Sequence, residues 1–387
     1  MKTKKIFNLF SVVLIFSVYA LSLRKPEVKI FQSDSEILVK KSIELSTKTT
    51  IMHHGGFMIV PKELGYNTFD APYYSQFGLQ YKLLSIPSKL FKNNINNYYK
   101  FNKLFLVLLL SIVLSLFIKI IGKEFGNYSK YFLLFGIITS PWLIKFSSNL
   151  YWFIFLDFSP FVFSWFFYKK KHFYSGIFIL ILIKSLCGYE YLSNILLSSI
   201  IPVIYWELKN NSKKIKDIIK PVIKTFILGF IGFLTAFTLN LIQASLYLHS
   251  IKNGLDVIKQ SLIYRTIGDA LGKKVDPFVD LQTFFSYLNQ KSFIFINHYQ
   301  LIGLVLILYI VINFLYKKIN KKNDNKLFLI TMIGLFFSLS WNSIALGHMR
   351  YHIHINTITF YIPFDLLAFA YIGQCIYKIK EIINKIK

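Results

Sequence analysis

Residues 104–118 read LFLVLLLSIVLSLFI, fifteen consecutive positions without a charge, and nine other runs of similar character are spread along the chain. A hydrocarbon core about 30 Å thick is crossed by roughly 20 apolar residues in a helix, so runs of this length are matched to a bilayer. The ten runs cover 6–22, 103–121, 131–147, 151–168, 173–187, 191–206, 221–247, 299–316, 327–345 and 356–377. With 54% hydrophobic and only 16% charged residues, the chain lies outside the range of soluble domains. The expected fold is all-α: a polytopic membrane protein of about ten transmembrane helices, one integral membrane domain over 1–387. Runs 173–187 and 191–206 are short and can also form one hairpin dipping from the inner face.

The net charge of +27 raises the question of nucleic acid, and its distribution answers it. With a cytoplasmic N-terminus, the inside segments are 1–5, 122–130, 169–172, 207–220, 317–326 and 378–387, and together they hold 17 of those charges. Each is positive and most are short, as the positive-inside rule requires. The basic balance is therefore a topology signal, and nucleic acid is excluded as a partner. Lys2, Lys4 and Lys5 before the first run imitate a secretory signal. An uncleaved first helix is preferred, because an even helix count then returns the basic C-terminal tail to the cytoplasm. The expected location is a bacterial inner membrane, multi-pass, with both termini cytoplasmic. Cys187 and Cys375 fall at opposite ends of their runs and are not expected to pair.

This topology leaves two long extracytoplasmic segments, residues 23–102 and 248–298, the first carrying short amphipathic helices. In SDSEILVKKSIELSTK, Ser33 and Glu36 have capping-box spacing, and Asp34 and Glu36 sit where a helix dipole favours anions. Those acids suffice to start a helix; they also place a carboxylate over the membrane surface, where it can act as general base towards a hydroxyl. Asp70, in a turn-like Asp-Ala-Pro, is a second candidate base, or simply a turn former. Phe77, Tyr81 and Leu84 recur at helical spacing with Gln76 and Gln80 interleaved, which predicts a short surface helix anchored by its aromatics. Within the apolar runs, Asp157 is expected to pair with Lys184 or Lys145. Tyr189 and Glu190, at an outer turn, combine a stacking face with hydrogen bonds suited to carbohydrate hydroxyls. Asp365 has no evident role.

Only three of the 45 basic residues are arginine, namely Arg24, Arg265 and Arg350, and all three fall outside. A planar guanidinium fork grips phosphate in a way lysine does not. Arg24 reads as a headgroup anchor; Arg265 and Arg350 are candidates for a donor phosphate. In LGHMRYHIHIN, His348, Arg350, His352 and His354 share one face if the stretch is extended. If it is helical, they pair at i, i+4. Headgroup contacts, a zinc site and a phosphate cradle of His348, Arg350 and His352 are the three readings. Carboxylates, cationic groups and aromatics on one face suit transfer from a lipid-linked phosphate donor, with the cations stabilising the leaving phosphate.

In its ten-run architecture with a long first outer loop, the chain resembles the membrane glycosyltransferases of the GT-C superfamily. SDSEIL looks like that superfamily's Asp-x-Glu signature in the same loop. YYSQFGLQ, GYEYLS and RYHIHINTITFYIPF look similar to segments of uncharacterised bacterial members. The resemblance implies an inverting glycosyltransferase that moves a sugar from a polyprenyl-phosphate donor to an envelope glycan or lipid acceptor. Asp34 is then the base, Glu36 its neighbour, and later outer loops hold the donor phosphate. Amides and aromatics (Gln76, Gln80, Tyr189, Glu190) are expected to hold the sugar or acceptor. Superfamily members differ in metal dependence, so a divalent ion and no cofactor at all are both compatible. The larger enzymes carry a C-terminal soluble domain that this sequence lacks, which assigns acceptor recognition to the loops. The alternatives are a secondary transporter or lipid-linked glycan flippase, a glycan polymerase and a non-catalytic scaffold.

Overall fold

The computed structural model describes residues 2–33, 35–64, 69–210, 215–266, 277–319 and 323–386. About 81% is helical. The described strands form two short antiparallel hairpins, Met58–Val60 with Ala71–Tyr73 and Lys291–Phe293 with Ile296–Asn297. The expected all-α class holds. Among the described residues, four helices are long and apolar enough to cross a membrane: Ile95–Phe125, Ile215–Tyr247, His298–Lys318 and Lys326–Ile344. A fifth arises if His354–Tyr361 and Phe364–Lys385, bent by 46°, count as one span. Pro363 lies at that break, where it supplies no N–H to a continuous helix.

The expectation of ten spans is not confirmed. Ile6–Ser22, Phe155–Phe167 and Phe173–Cys187 are apolar but shorter. Run 131–147 divides at Ser140, which caps a new helix by accepting from the Leu143 amide at 3.0 Å, with Pro141 as its first residue. Run 191–206 divides into Leu192–Ser198 and Ile201–Lys209.

Small residues bring helix axes close. A Cβ on Gly232 would lie 2.6 Å from the Phe178 carbonyl oxygen, so the Ile215–Tyr247 and Phe173–Cys187 helices touch backbone to side. Across this core runs the expected ion pair, Lys184 Nζ to Asp157 Oδ1 at 2.9 Å, both fully buried. Lys145 instead lies over the Trp142 ring. Both cysteines are free and buried.

The first long loop departs from expectation at its start. Ser33 ends one helix, Pro26–Ser33, and the next begins at Glu36, after a left-handed Ser35 that makes no side-chain cap. The anticipated capping box is therefore not formed. Glu36 turns inward and is completely buried, paired with Lys40 at 2.8 Å and Lys103 at 2.7 Å. The predicted surface helix, Leu79–Ser88, is also largely interior. Tyr81 and Leu84 pack into the core, and Leu83 and Ile86 are its exposed apolar residues instead.

Candidate functional site

Three chain segments far apart in sequence converge on one polar cup. The turn at 147–153 is tightened by Asn149, whose Oδ1 accepts the Tyr151 amide at 2.8 Å. It presents Tyr151 and Trp152. The turn 188–191 presents Glu190, and a Cβ on Gly188 would meet Glu190 Oε2 at 2.5 Å and Gln76 Oε1 at 2.7 Å, so a larger residue there would have to push these two side chains aside. The helix Ile251–Thr266 brings Ser261 and Arg265, one turn apart on the same face. Together with Ser35, Tyr73, His348 and His352 these line a cavity of about 370 Å³.

Glu190 is its electrostatic centre. The carboxylate is 3% exposed, and its Oε1 lies 3.0 Å from Arg265 Nη2 and 3.1 Å from the Tyr151 hydroxyl. Burial pushes its pKa up, but the adjacent charges of Arg265 and Lys184 overcome this and hold it at about 2. Arg265 Nη2 also donates to Tyr73 Oη at 2.9 Å, and Tyr73 and Tyr151 hydroxyls meet at 3.2 Å. Gln76 Oε1 is 3.3 Å from the Tyr151 hydroxyl, while Gln80 Nε2 donates to the Tyr151 carbonyl at 3.1 Å, beneath the cup.

Three buried donors in and beside this cup have no acceptor among the described residues: Arg265 Nη1, Trp152 Nε1 and Gln76 Nε2. Each such donor costs about 1–3 kcal/mol unless a ligand or water accepts from it. Donors rather than acceptors are in surplus, which favours an oxygen-rich, electron-donating ligand.

A second cavity of about 510 Å³ adjoins the first, and Ser75, Ser261 and Arg265 line both. Its wall is apolar, dominated by Phe226, Phe230, Phe233 and Phe237 along the Ile215–Tyr247 helix. Tyr189 lines this groove and sets its ring edge-on to Phe233 at 5.7 Å. A polar cup thus opens at Arg265 onto an apolar groove beside a long apolar helix.

The histidine stretch forms two short helices, Leu346–Tyr351 and Ile353–Asn356, broken at His352. It is neither a strand nor the continuous start of the last helix. His348 is 6% exposed, with Nδ1 3.0 Å from Asn356 Oδ1, and the Asn356 amide donates to the His348 carbonyl at 3.0 Å. Burial, then the charge of Arg265, lowers its pKa to about 3. His348 is therefore a neutral cup residue with its Nδ1–H committed to Asn356, and not the cation expected of a phosphate cradle.

Of the other sequence candidates, Arg350 is half-buried and lines neither cavity, and His354 is exposed. Glu36 is engaged by two lysines, and its Oε2 accepts from the Leu150 amide at 3.4 Å. Asp70 accepts the Lys62 amide at 3.0 Å and faces Lys41 at 3.4 Å. The backbone hydrogen bond leads in lowering its pKa, which suits a turn former better than a base. Asp34 falls outside the described residues, although the next residue, Ser35, lines the cup. Among the described residues no three His, Cys, Asp or Glu side chains converge as a metal site would require.

Sequence reasoning passed over Tyr73, Tyr151 and Trp152. The phenylalanines at 226, 230, 233 and 237 have i, i+3 and i+4 spacing, a visible stripe that was absorbed into a membrane run. No protein-family model, curated protein or solved structure matches the chain.

Proposed function

We propose that the chain is a membrane glycosyltransferase of the inverting type. It would take a sugar from a polyprenyl-phosphate donor and give it to a glycan or lipid acceptor on the extracytoplasmic face of a bacterial inner membrane. The observation that carries this reading is the junction at Arg265, where a donor-rich polar cup meets a phenylalanine-lined groove. An amphiphile with a phosphate head and a hydrocarbon tail matches both halves, and the groove's volume is in the range of small-molecule sites.

In this reading the isoprenoid chain lies along Phe226–Phe237 and the phosphate meets Arg265 Nη1. Glu190 and Tyr73 fix the other guanidinium nitrogen, so the fork is preorganised. Sugar hydroxyls take the Trp152 and Gln76 N–H groups and face Tyr151 and His348. The acceptor hydroxyl oxygen attacks the anomeric carbon as the bond from that carbon to the phosphate oxygen breaks. The electron pair leaves with polyprenyl phosphate, whose developing charge Arg265 stabilises. The hydroxyl proton passes to Asp34, assigned as base from the sequence, where it immediately precedes the cup-lining Ser35. Glu190 is unsuited to that role, since its low pKa and its ion pair leave it a poor proton acceptor.

The test is to incubate purified protein in lipid nanodiscs with a panel of polyprenyl-phosphate monosaccharides and envelope-glycan acceptors, following release of polyprenyl phosphate. Turnover with one donor, lost in Asp34→Asn, supports the proposal. Binding of no donor, or equal turnover in the variant, removes respectively the substrate class or the base. The transporter and flippase alternative rests on the intramembrane Asp157–Lys184 pair. That pair is buried and mutual at 2.9 Å, the arrangement of a structural tie.

A further inference from the structure

A second cavity with unspent hydrogen-bonding capacity lies at the far end of the Phe155–Phe167 helix from the cup, roughly 20 Å away at 1.5 Å per residue. Its volume is about 490 Å³. Lys119 and Lys123 project into it from successive turns of the Ile95–Phe125 helix, and Lys169 and the rings of Trp165, Tyr168 and Trp206 complete the wall.

The charges here are unbalanced in a specific way. Glu207 is paired with Lys169 at 3.0 Å, and Glu124 is paired with Lys209. Among the described residues no ion pair is formed by Lys119 or Lys123. Two like charges at i, i+4 repel, and an anion placed between them converts that repulsion into attraction. Lysines at the rim of a membrane protein ordinarily need no cavity, since they reach lipid headgroups from a convex surface.

What distinguishes this place is Trp165. Its residue is 2% exposed, it lines the cavity, and its Nε1–H has no acceptor among the described residues. Its backbone carbonyl is by contrast used, accepting Trp206 Nε1 at 3.3 Å. A buried indole N–H lining the same cavity as two exposed lysines that form no ion pair among the described residues calls for an anionic oxygen acceptor. We infer that this cavity binds a phosphate group, held by Lys119, Lys123 and the Trp165 N–H, at a site separate from the cup. A phosphate fits better than a carboxylate because its three or four oxygens can serve all three donors at once.

The phosphate can belong to a phospholipid headgroup or to a small soluble ester, and the experiment separates them. Full-length protein in detergent is titrated with phosphatidylglycerol, with glycerol phosphate and with phosphate-free diacylglycerol. Retention is read by native mass spectrometry and occupancy by tryptophan fluorescence. The wild type should bind at least one of the two phosphate probes in preference to diacylglycerol. Lys119→Gln with Lys123→Gln should weaken it at least tenfold, and Trp165→Phe about fivefold. Saturation by phosphatidylglycerol that glycerol phosphate does not displace identifies a lipid site; equal binding of glycerol phosphate identifies a soluble-ester site. The lysines are at the surface, so their double variant should keep the wild-type melting profile. Trp165→Phe checks the indole role without removing a charge. The inference is overturned if neither phosphate probe outcompetes diacylglycerol, or if the double lysine variant binds as the wild type does.

Discussion

Replacing Arg265 with methionine separates two things the guanidinium does. The first is structural: Glu190 would remain a buried carboxylate, its side chain 4% exposed, with only the Tyr151 hydroxyl facing its Oε1. Removing one partner of a buried ion pair costs about 3–5 kcal/mol. The side chains of Arg265 and Glu190 are only 13% and 4% exposed, so solvent screening does little to reduce this figure. The second, on the proposed function, is ligand binding. A charge-assisted hydrogen bond to phosphate contributes roughly 1.5–3 kcal/mol, or about 10- to 150-fold in Kd for polyprenyl phosphate. Arg265→Met should therefore both melt earlier and bind the lipid phosphate more weakly. Adding Glu190→Gln removes the stranded charge and should restore most of the stability while leaving the binding defect in place. Melting is followed by circular dichroism in detergent at neutral pH, and binding by quenching of tryptophan fluorescence on titration with polyprenyl phosphate. If the double variant recovers binding along with stability, Arg265 acts only as the counterion of Glu190. If Arg265→Met is unchanged in both measurements, the electrostatic account of the cup is wrong.

Trp152→Phe removes one surplus donor and keeps the ring, so the sugar-linked lipid should bind about fivefold more weakly at roughly 1 kcal/mol, with bare polyprenyl phosphate unaffected; equal losses for both would place the indole elsewhere. Lys184→Met strands Asp157 in the core and should destabilise by about 3–5 kcal/mol, and pairing it with Asp157→Leu should recover most of that in the same melts. The acid limb of stability should carry two signatures. Glu190 is held at about 2, below its ordinary 4.5, so its contribution is complete above pH 4.5 and disappears as pH falls towards 2; Glu190→Gln should remove that part of the acid transition. His348 is held at about 3, below its ordinary 6.5, so the unfolded chain takes up its proton first and stability declines as pH falls from 6.5 towards 3. His348→Gln should flatten that decline, and a slope identical to wild type would show that the imidazole is solvated. Gly232→Leu, which forces side-chain atoms against the Phe178 carbonyl, should lower the melting temperature by several degrees without altering the ligand's headgroup preference.

The membrane character was legible because it is one-dimensional: a bilayer reads the length of an apolar run, and no distant partner is needed. The number of spans was less so, since Ser140–Pro141 and the break at Pro363 turn apolar runs into bent or short helices. Asp157 and Lys184 could be matched because an isolated charge in an apolar run needs an opposite one at similar depth. The second partner of Glu36 could not, because Lys103 is 67 positions away on a helix whose rotation the sequence leaves open. Arg265 and Glu190 stand out in the sequence for chemical reasons, one by rarity and the other by its turn, yet nothing local says that they meet. Arg350 shared the same rarity and lines neither cavity. Trp152 sits in an aromatic-rich run where one more indole carries no signal; only its N–H without an acceptor, visible in three dimensions, sets it apart.

The sharing of Arg265, Ser75 and Ser261 between cup and groove has a consequence for how chain and headgroup add up. On the proposed function, two adjoining compartments occupied by one lipid-linked phosphate behave as a chelate. Once the tail is seated, the head is delivered at a local concentration in the millimolar range rather than drawn from solution. A water-soluble sugar phosphate and a separate hydrocarbon, added together, would not reproduce that advantage at any practical dose. Shortening the tail should therefore weaken capture of the head out of proportion to the contacts removed. If the proposed lipid-linked donor is the ligand, soluble headgroup fragments are poor baits for the cup.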